Sequence, residues 1–228
     1  MRNVCILFSF FFLVSLLISC KKENTTITDY SFCYFPANIG HEVIYDVDSI
    51  SKDDFTGKTD TFHFQIKEII ESYFNDIEGR PTIRLERYKR PTHSDPWIIY
   101  KIWTANKTTT IAEKKEDNIT YCKFAFPVKL NKKWNGNAKN DIGEQEYEYT
   151  SVNAPYYING MNFDSTLTVL QSDIVDYVNK DYAIEKYATG VGMFYKEIFS
   201  GDYDQSDPTH QKFTNFIHYT EKLISFSN

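Results

Sequence analysis

"TFHFQIKEII", Thr61 to Ile70, decides the fold. Phe62, Phe64 and Ile66 fall at every second position and His63, Gln65 and Lys67 fill the places between. Successive side chains of a strand point to opposite faces, so this spacing predicts one apolar face and one wet face. The strand can run on to Phe74, where Asn75, Asp76 and Gly79 signal a turn. Beyond the turn Ile83 and Leu85 alternate with Arg84 and Glu86, which predicts a long hairpin.

The same period continues in both directions. In "HEVIYDVDSI", Val43, Tyr45 and Val47 alternate with Ile44, Asp46 and Asp48. "RPTHSDP", from Arg90 to Pro96, reads as a loop, because two prolines remove ladder donors. "WIIYKIWT" and "TTTIAE" follow as strands, and Lys114 to Asn118 reads as a charged turn. Thr120, Cys122, Phe124 and Phe126 share a face, which predicts a buried Cys122. Later strands are expected in "EQEYEYTS", "FDSTLTVLQ" and "GVGMFYKEI", with a helical turn near Asp181 to Lys186. The final "KFTNFIHYTEKLISF" fits both periods, and its β-branched and aromatic content favours a strand.

About ten such strands on short turns predict a mainly β domain: one antiparallel sheet, with at most one or two short helices. A sheet that wide curls, so the expected form is a half-barrel or open barrel, with a β-sandwich as the alternative. Composition agrees. The 228 residues include 17 Tyr and 18 Phe but only 9 Gly and 7 Pro. The formal net charge of -6 repels phosphate backbones, and no Lys/Arg stripe interleaves with aromatics, which argues against nucleic-acid binding.

The chain starts with Arg2 and an apolar run, Val4 to Ile18, that stops at Cys20, Lys21 and Lys22. That run is shorter than the ~20 residues a membrane-spanning helix needs, so it reads as a cleaved export signal. The tetrapeptide Leu17-Ile18-Ser19-Cys20 resembles the lipobox of bacterial lipoproteins. The resemblance implies a signal peptide over 1–19, a Cys20 that becomes the first mature residue and carries covalent lipid (a thioether-linked diacylglycerol with an added acyl chain such as palmitate), and a tether over 20–39. The β-rich domain is then expected over 40–228. No inner-membrane-retaining aspartate follows Cys20, which by the family's sorting habits implies the outer membrane, with the periplasmic or surface face open. The layout also looks like the lipid-carrying half-barrels of envelope lipoproteins, by fold-level analogy alone. With Cys5 removed and Cys20 acylated, Cys33 and Cys122 remain as thiols in an oxidising compartment, where they can bond or stay free.

Candidate chemistry is sparse. Trp97 and Trp103 are six apart and in one unbroken strand would share a face; with Trp134 they could form a sugar or lipid platform or pack in the core. Asp202, Asp204 and Asp207 resemble the opening of a calcium loop, but no glycine stands at the sixth place and Phe213 occupies the twelfth. His41, His63, His93, His210 and His218 are scattered without a metal-ligand spacing. Glu144, Glu146 and Glu148 lie on one face of their strand opposite Tyr147 and Tyr149, an exposed set with nothing to raise a pKa. Gly190 and Gly192 begin a GxG without its third glycine and permit a bulge or close packing instead. No catalytic residue and no cofactor is expected. The sequence therefore predicts an envelope lipoprotein with a non-catalytic binding or scaffolding β domain, held to the membrane by its lipid and serving a protein partner or an apolar ligand. A lipid carrier and an enzyme acting on envelope glycans are the alternatives.

Overall fold

The computed structural model describes residues 30–209 and 211–227. Cys20 and the signal lie outside the described residues, as does His210. Twelve strands follow a short 3-10 turn at Tyr30–Tyr34, and no α-helix occurs among the described residues. The strands are β1 (Glu42–Lys52), β2 (Thr59–Asn75), β3 (Pro81–Arg90), β4 (Ile98–Lys107), β5 (Ile111–Glu116) and β6 (Ile119–Ala125). They continue as β7 (Lys133–Asn135), β8 (Glu146–Ile158), β9 (Met161–Val175), β10 (Asn179–Ala188), β11 (Gly192–Tyr203) and β12 (Phe213–Ser227). All pairings are antiparallel, in the order β6-β5-β4-β3-β2-β1-β12-β11-β10-β9-β8-β7. The expected single curled sheet is thus what forms, nearly closed into a barrel.

The two edge strands meet at a seam. Cys122 N–H donates to the Gly136 carbonyl at 2.8 Å, and Trp134 Nε1 donates to the Cys122 carbonyl at 2.8 Å. Gly136 is required at that place, because a Cβ on it would lie 2.3 Å from the Tyr147 ring. Gly136→Ala is therefore expected to lower stability by about 1–3 kcal/mol through overpacking, measured by urea denaturation.

The core follows the period-two reading. Val43, Tyr45 and Val47 point inward with Ile66, and Ile83 and Leu85 do the same on β3. Phe124, Tyr149, Leu167, Val169 and Tyr187 fill the other side. Two segments differ from expectation. Lys114–Glu116 belongs to β5, so the turn expected over Lys114 to Asn118 is confined to Asp117 and Asn118, and Asp181–Lys186 lies inside β10 and forms no helical turn. Lys114, Glu116 and Glu185 face an interior that pairs them.

The chain also folds before residue 40. Tyr34 and Phe35 are buried, Gly190 N–H donates to the Cys33 carbonyl at 2.8 Å, and Lys107 Nζ donates to the Phe35 carbonyl at 2.7 Å. Residues 31–37, expected in the tether, plug the end of the barrel at which β1 begins. The turn between β10 and β11 makes room for the plug. Gly192, at φ +84°, would bring a Cβ to 3.1 Å from Pro36 Cδ.

Candidate functional site

Below the plug the barrel interior holds an ion cluster. Four cations and four carboxylates meet there: Arg87, Lys114, Lys123 and Lys196 with Glu68, Glu116, Glu185 and Glu221. The antiparallel register sets opposite charges directly across from one another, Glu68 against Arg87, Glu185 against Lys196, and Lys196 against Glu221. Lys123 joins the two walls of the barrel, reaching Glu116 at 3.0 Å on β5 and Glu185 at 2.8 Å on β10. Arg87 binds Glu221 at 2.8 Å and lies 4.0 Å over the Trp103 ring. Tyr187 and Tyr219 hydroxyls donate to Glu185 and Glu221 at 2.6 Å each.

Burial disfavours the charges of Arg87, Glu116, Lys123, Glu185, Lys196 and Glu221, and the attraction of their partners reverses it. Desolvation raises the Glu185 pKa, yet Lys123 and Lys196 carry it well below the ordinary carboxylate range. Glu116 behaves alike under Lys123 and Lys196, and Glu221 under Arg87 and Lys196. Burial likewise lowers the Lys123 and Arg87 values, and the facing glutamates raise both above their ordinary range. The cluster pairs four basic with four acidic side chains, and in Glu116, Glu185 and Glu221 the shift runs away from holding a proton near neutral pH. It leaves about 60 Å³ free between plug and charges, beside Tyr34, His41, Tyr187 and Met193. That space suits about four water molecules and no larger ligand. Glu221 Oε2 is buried without a hydrogen-bond partner among the described residues.

The opposite end of the barrel is open. β4 pairs with β5 only from Thr104 to Lys107, so Ile98 to Trp103 have β3 alone as a neighbour. β9 likewise runs past β8, whose pairing stops at Leu170, while pairing with β10 continues to Val175. There the wall is an eight-stranded sheet, β4 through β3, β2, β1, β12, β11 and β10 to β9, with two unpaired edges. Its concave face carries Phe62, Ile98, Tyr100 and Ile217, which are 46–64% exposed. Register places them there. Ser49 continues the inward row of Tyr45 and Val47, and it faces Phe62 on one side and Tyr219 on the other. Ile98 faces Lys89, whose Nζ lies 3.7 Å over the inward Phe64 ring. On the outer face of the same β4 edge, Ile99 and Ile102 are exposed too.

The residues singled out from sequence are scattered over this frame. Trp103 is buried beneath Arg87, while Trp97 is half-buried on the outer surface, 4.1 Å from the Arg90 guanidinium. A bulge between Arg87 and Tyr88 puts the two indoles on opposite faces, so they do not share one as the six-residue spacing suggested. Trp134 packs on Tyr149 at the seam, with centroids 4.4 Å apart. Cys33 is exposed in the 3-10 turn and Cys122 is buried in β6, both as free thiols; burial raises the Cys122 pKa. Asp204 accepts from Ser206, and Asp207 accepts from Thr209, Gln211 and Lys212, so these carboxylates hold their own loop together. Asp202 accepts from Asn215. Among the described residues no group of three or more His, Cys, Asp or Glu is arranged to hold a metal. His63 is exposed and pairs with Asp48, and Glu146 and Glu148 pair with Lys133. The ion cluster itself was missed. Its one sequence signal is charge at positions that the period assigns to the apolar face, such as Glu68 in the row of Phe64 and Ile66.

No family model and no curated protein matches the sequence. Among solved structures, the chain is similar to one from Bacteroides fragilis NCTC 9343 described as an exported protein with a YmcC-like fold. The identity is 8%, the match covers 85% of this chain and 98% of that one, and the TM-score is 0.46.

Proposed function

We propose that the chain is a non-catalytic binding module of the cell envelope, anchored in the outer membrane through acylated Cys20, that takes an extended segment of a partner protein at its open end. The observation that carries this reading is the unpaired edge of β4 from Ile98 to Ile102, apolar on both faces. An exposed row of backbone N–H and C=O groups is satisfied by another strand, which a lipid cannot supply. Such edges are ordinarily blunted by charge or proline, and Lys101 is the one charged side chain in this stretch.

The alternatives fit less well. A carrier of lipid-sized ligands needs some 300 Å³ or more of enclosed apolar space; the interior leaves about 60 Å³, and the roomier groove of about 430 Å³ beside Asp48, His63 and Lys222 is open and mainly polar. A glycan hydrolase needs one carboxylic acid with a raised pKa, and the buried glutamates with resolved shifts are all lowered.

A photo-crosslinking amino acid at Ile99, in cells expressing the full chain, tests the reading. The expected product is a protein adduct of discrete mass that disappears when Ile98 and Ile102 are both changed to lysine. Adducts to lipid alone, or a protein adduct that survives both lysines, would count against strand addition.

A further inference from the structure

The plugged end differs from the open one in what stands around it. Ile77, at the tip of the β2–β3 turn, is fully exposed, and Ile39, Phe74 and, in the β6–β7 loop, Leu130 are exposed as well. These residues belong to the end where the described chain begins. Tyr73 hydroxyl donates to the Ala37 carbonyl, Val128 N–H donates to Ser31 Oγ at 3.2 Å, and Phe126 N–H donates to the Thr110 carbonyl at 2.7 Å. The turns after β2, β4 and β6 are thereby gathered round the plug.

Basic groups accompany the apolar ones. Lys129 is exposed, and Lys132 Nζ donates to the Phe126 carbonyl at 2.8 Å in the same loop. The acids of the rim, Asp76 and Glu78, both face Arg80, at 2.8 and 3.3 Å. Among the described residues neither Lys129 nor Lys132 forms a salt bridge, so the unpaired positive charge of the rim sits on the loop between β6 and β7.

Eleven peptide links separate Cys20 from Ser31. Even fully extended they span at most about 40 Å, so an acylated Cys20 keeps this end near the bilayer. Chain length selects the face, and its chemistry suits the surface: apolar tips for the headgroup boundary and lysines for anionic headgroups. We infer that the plugged rim, through Ile39, Phe74, Ile77, Leu130 and Lys129, rests on the surface of an anionic lipid bilayer and holds the open end away from it. This inference rests on the anchor proposed above.

The test uses the full lipidated chain in vesicles of phosphatidylcholine and phosphatidylglycerol, with a benzophenone amino acid at Ile77 or, separately, at Tyr177 beyond the far end of β9. Phospholipid adducts are counted by peptide mass. The expected yield at Ile77 is roughly tenfold that at Tyr177, as for a group at the headgroup boundary against one held in water. Equal yields in a sample whose Cys20 peptide carries its acyl mass would overturn the orientation and leave the anchor standing. A Cys20 peptide without acyl mass would overturn both.

Discussion

Replacing Glu185 with alanine is expected to lower the unfolding free energy by about 3–5 kcal/mol, the range for removing one partner of a buried ion pair. Glu185 is 1% exposed and touches Lys123 at 2.8 Å, Lys196 at 3.3 Å and the Tyr187 hydroxyl at 2.6 Å. Without it, two ammonium groups share Glu116, one of them at 3.8 Å, and an uncompensated charge stays buried. For a chain of this size the loss corresponds to a fall of about 6–20 °C in Tm, read by thermal denaturation. Two controls separate charge from packing. Glu146→Ala, on the exposed Lys133 pair, is expected to change stability by less than about 1 kcal/mol. Replacing Lys123 and Glu185 together with Met and Leu is expected to cost less than the two single losses summed, since neither charge is then stranded. Additive losses would mean that the pair is not coupled.

Acid is the second large lever. Glu116, Glu185 and Glu221 all have folded pKa values below the ordinary carboxylate range. Near pH 7 these groups are ionised in both states, and the stability contributed by their depressed values is fully present. As pH falls through the unfolded value of about 4.3, the unfolded chain takes up protons that the folded cluster refuses, so stability declines from about pH 5 downward. Urea midpoints at pH 7, 5, 4 and 3 are expected to fall steeply below 5. Glu185→Gln is expected to start lower and to decline less over the same range, because one of the groups that drives the decline is gone. Equal slopes for the two proteins would assign acid sensitivity to other carboxylates.

The strands and their inward faces were legible because alternation is a local property. Phe62, Phe64 and Ile66, and likewise Val43, Tyr45 and Val47, announce their face within six residues, and the structure keeps every one of them on it. Trp97 and Trp103 show where local reading stops. A bulge on β4 inverts the parity between them, and nothing in the sequence marks it. The ion cluster lies further out of reach. Each of its charges looks like a solvated residue until the partner arrives from a distant strand, as Glu185 does for Lys123 sixty-two residues away. The same holds for the open end, since an unpaired edge is created by where neighbouring strands stop. The apolar run Ile98-Ile99-Tyr100 is visible in the sequence, but its exposure follows from β5 ending at Glu116.

The central claim is that the barrel is filled by its own plug and ion cluster, so that binding takes place at the open end and through protein. Native mass spectrometry of the full chain extracted from envelope in mild detergent tests it most directly. The expected spectrum shows the polypeptide with its covalent acyl mass, alone or with a polypeptide partner, and no further lipid retained one to one. A stoichiometric non-covalent lipid that stays bound after detergent exchange would contradict the claim.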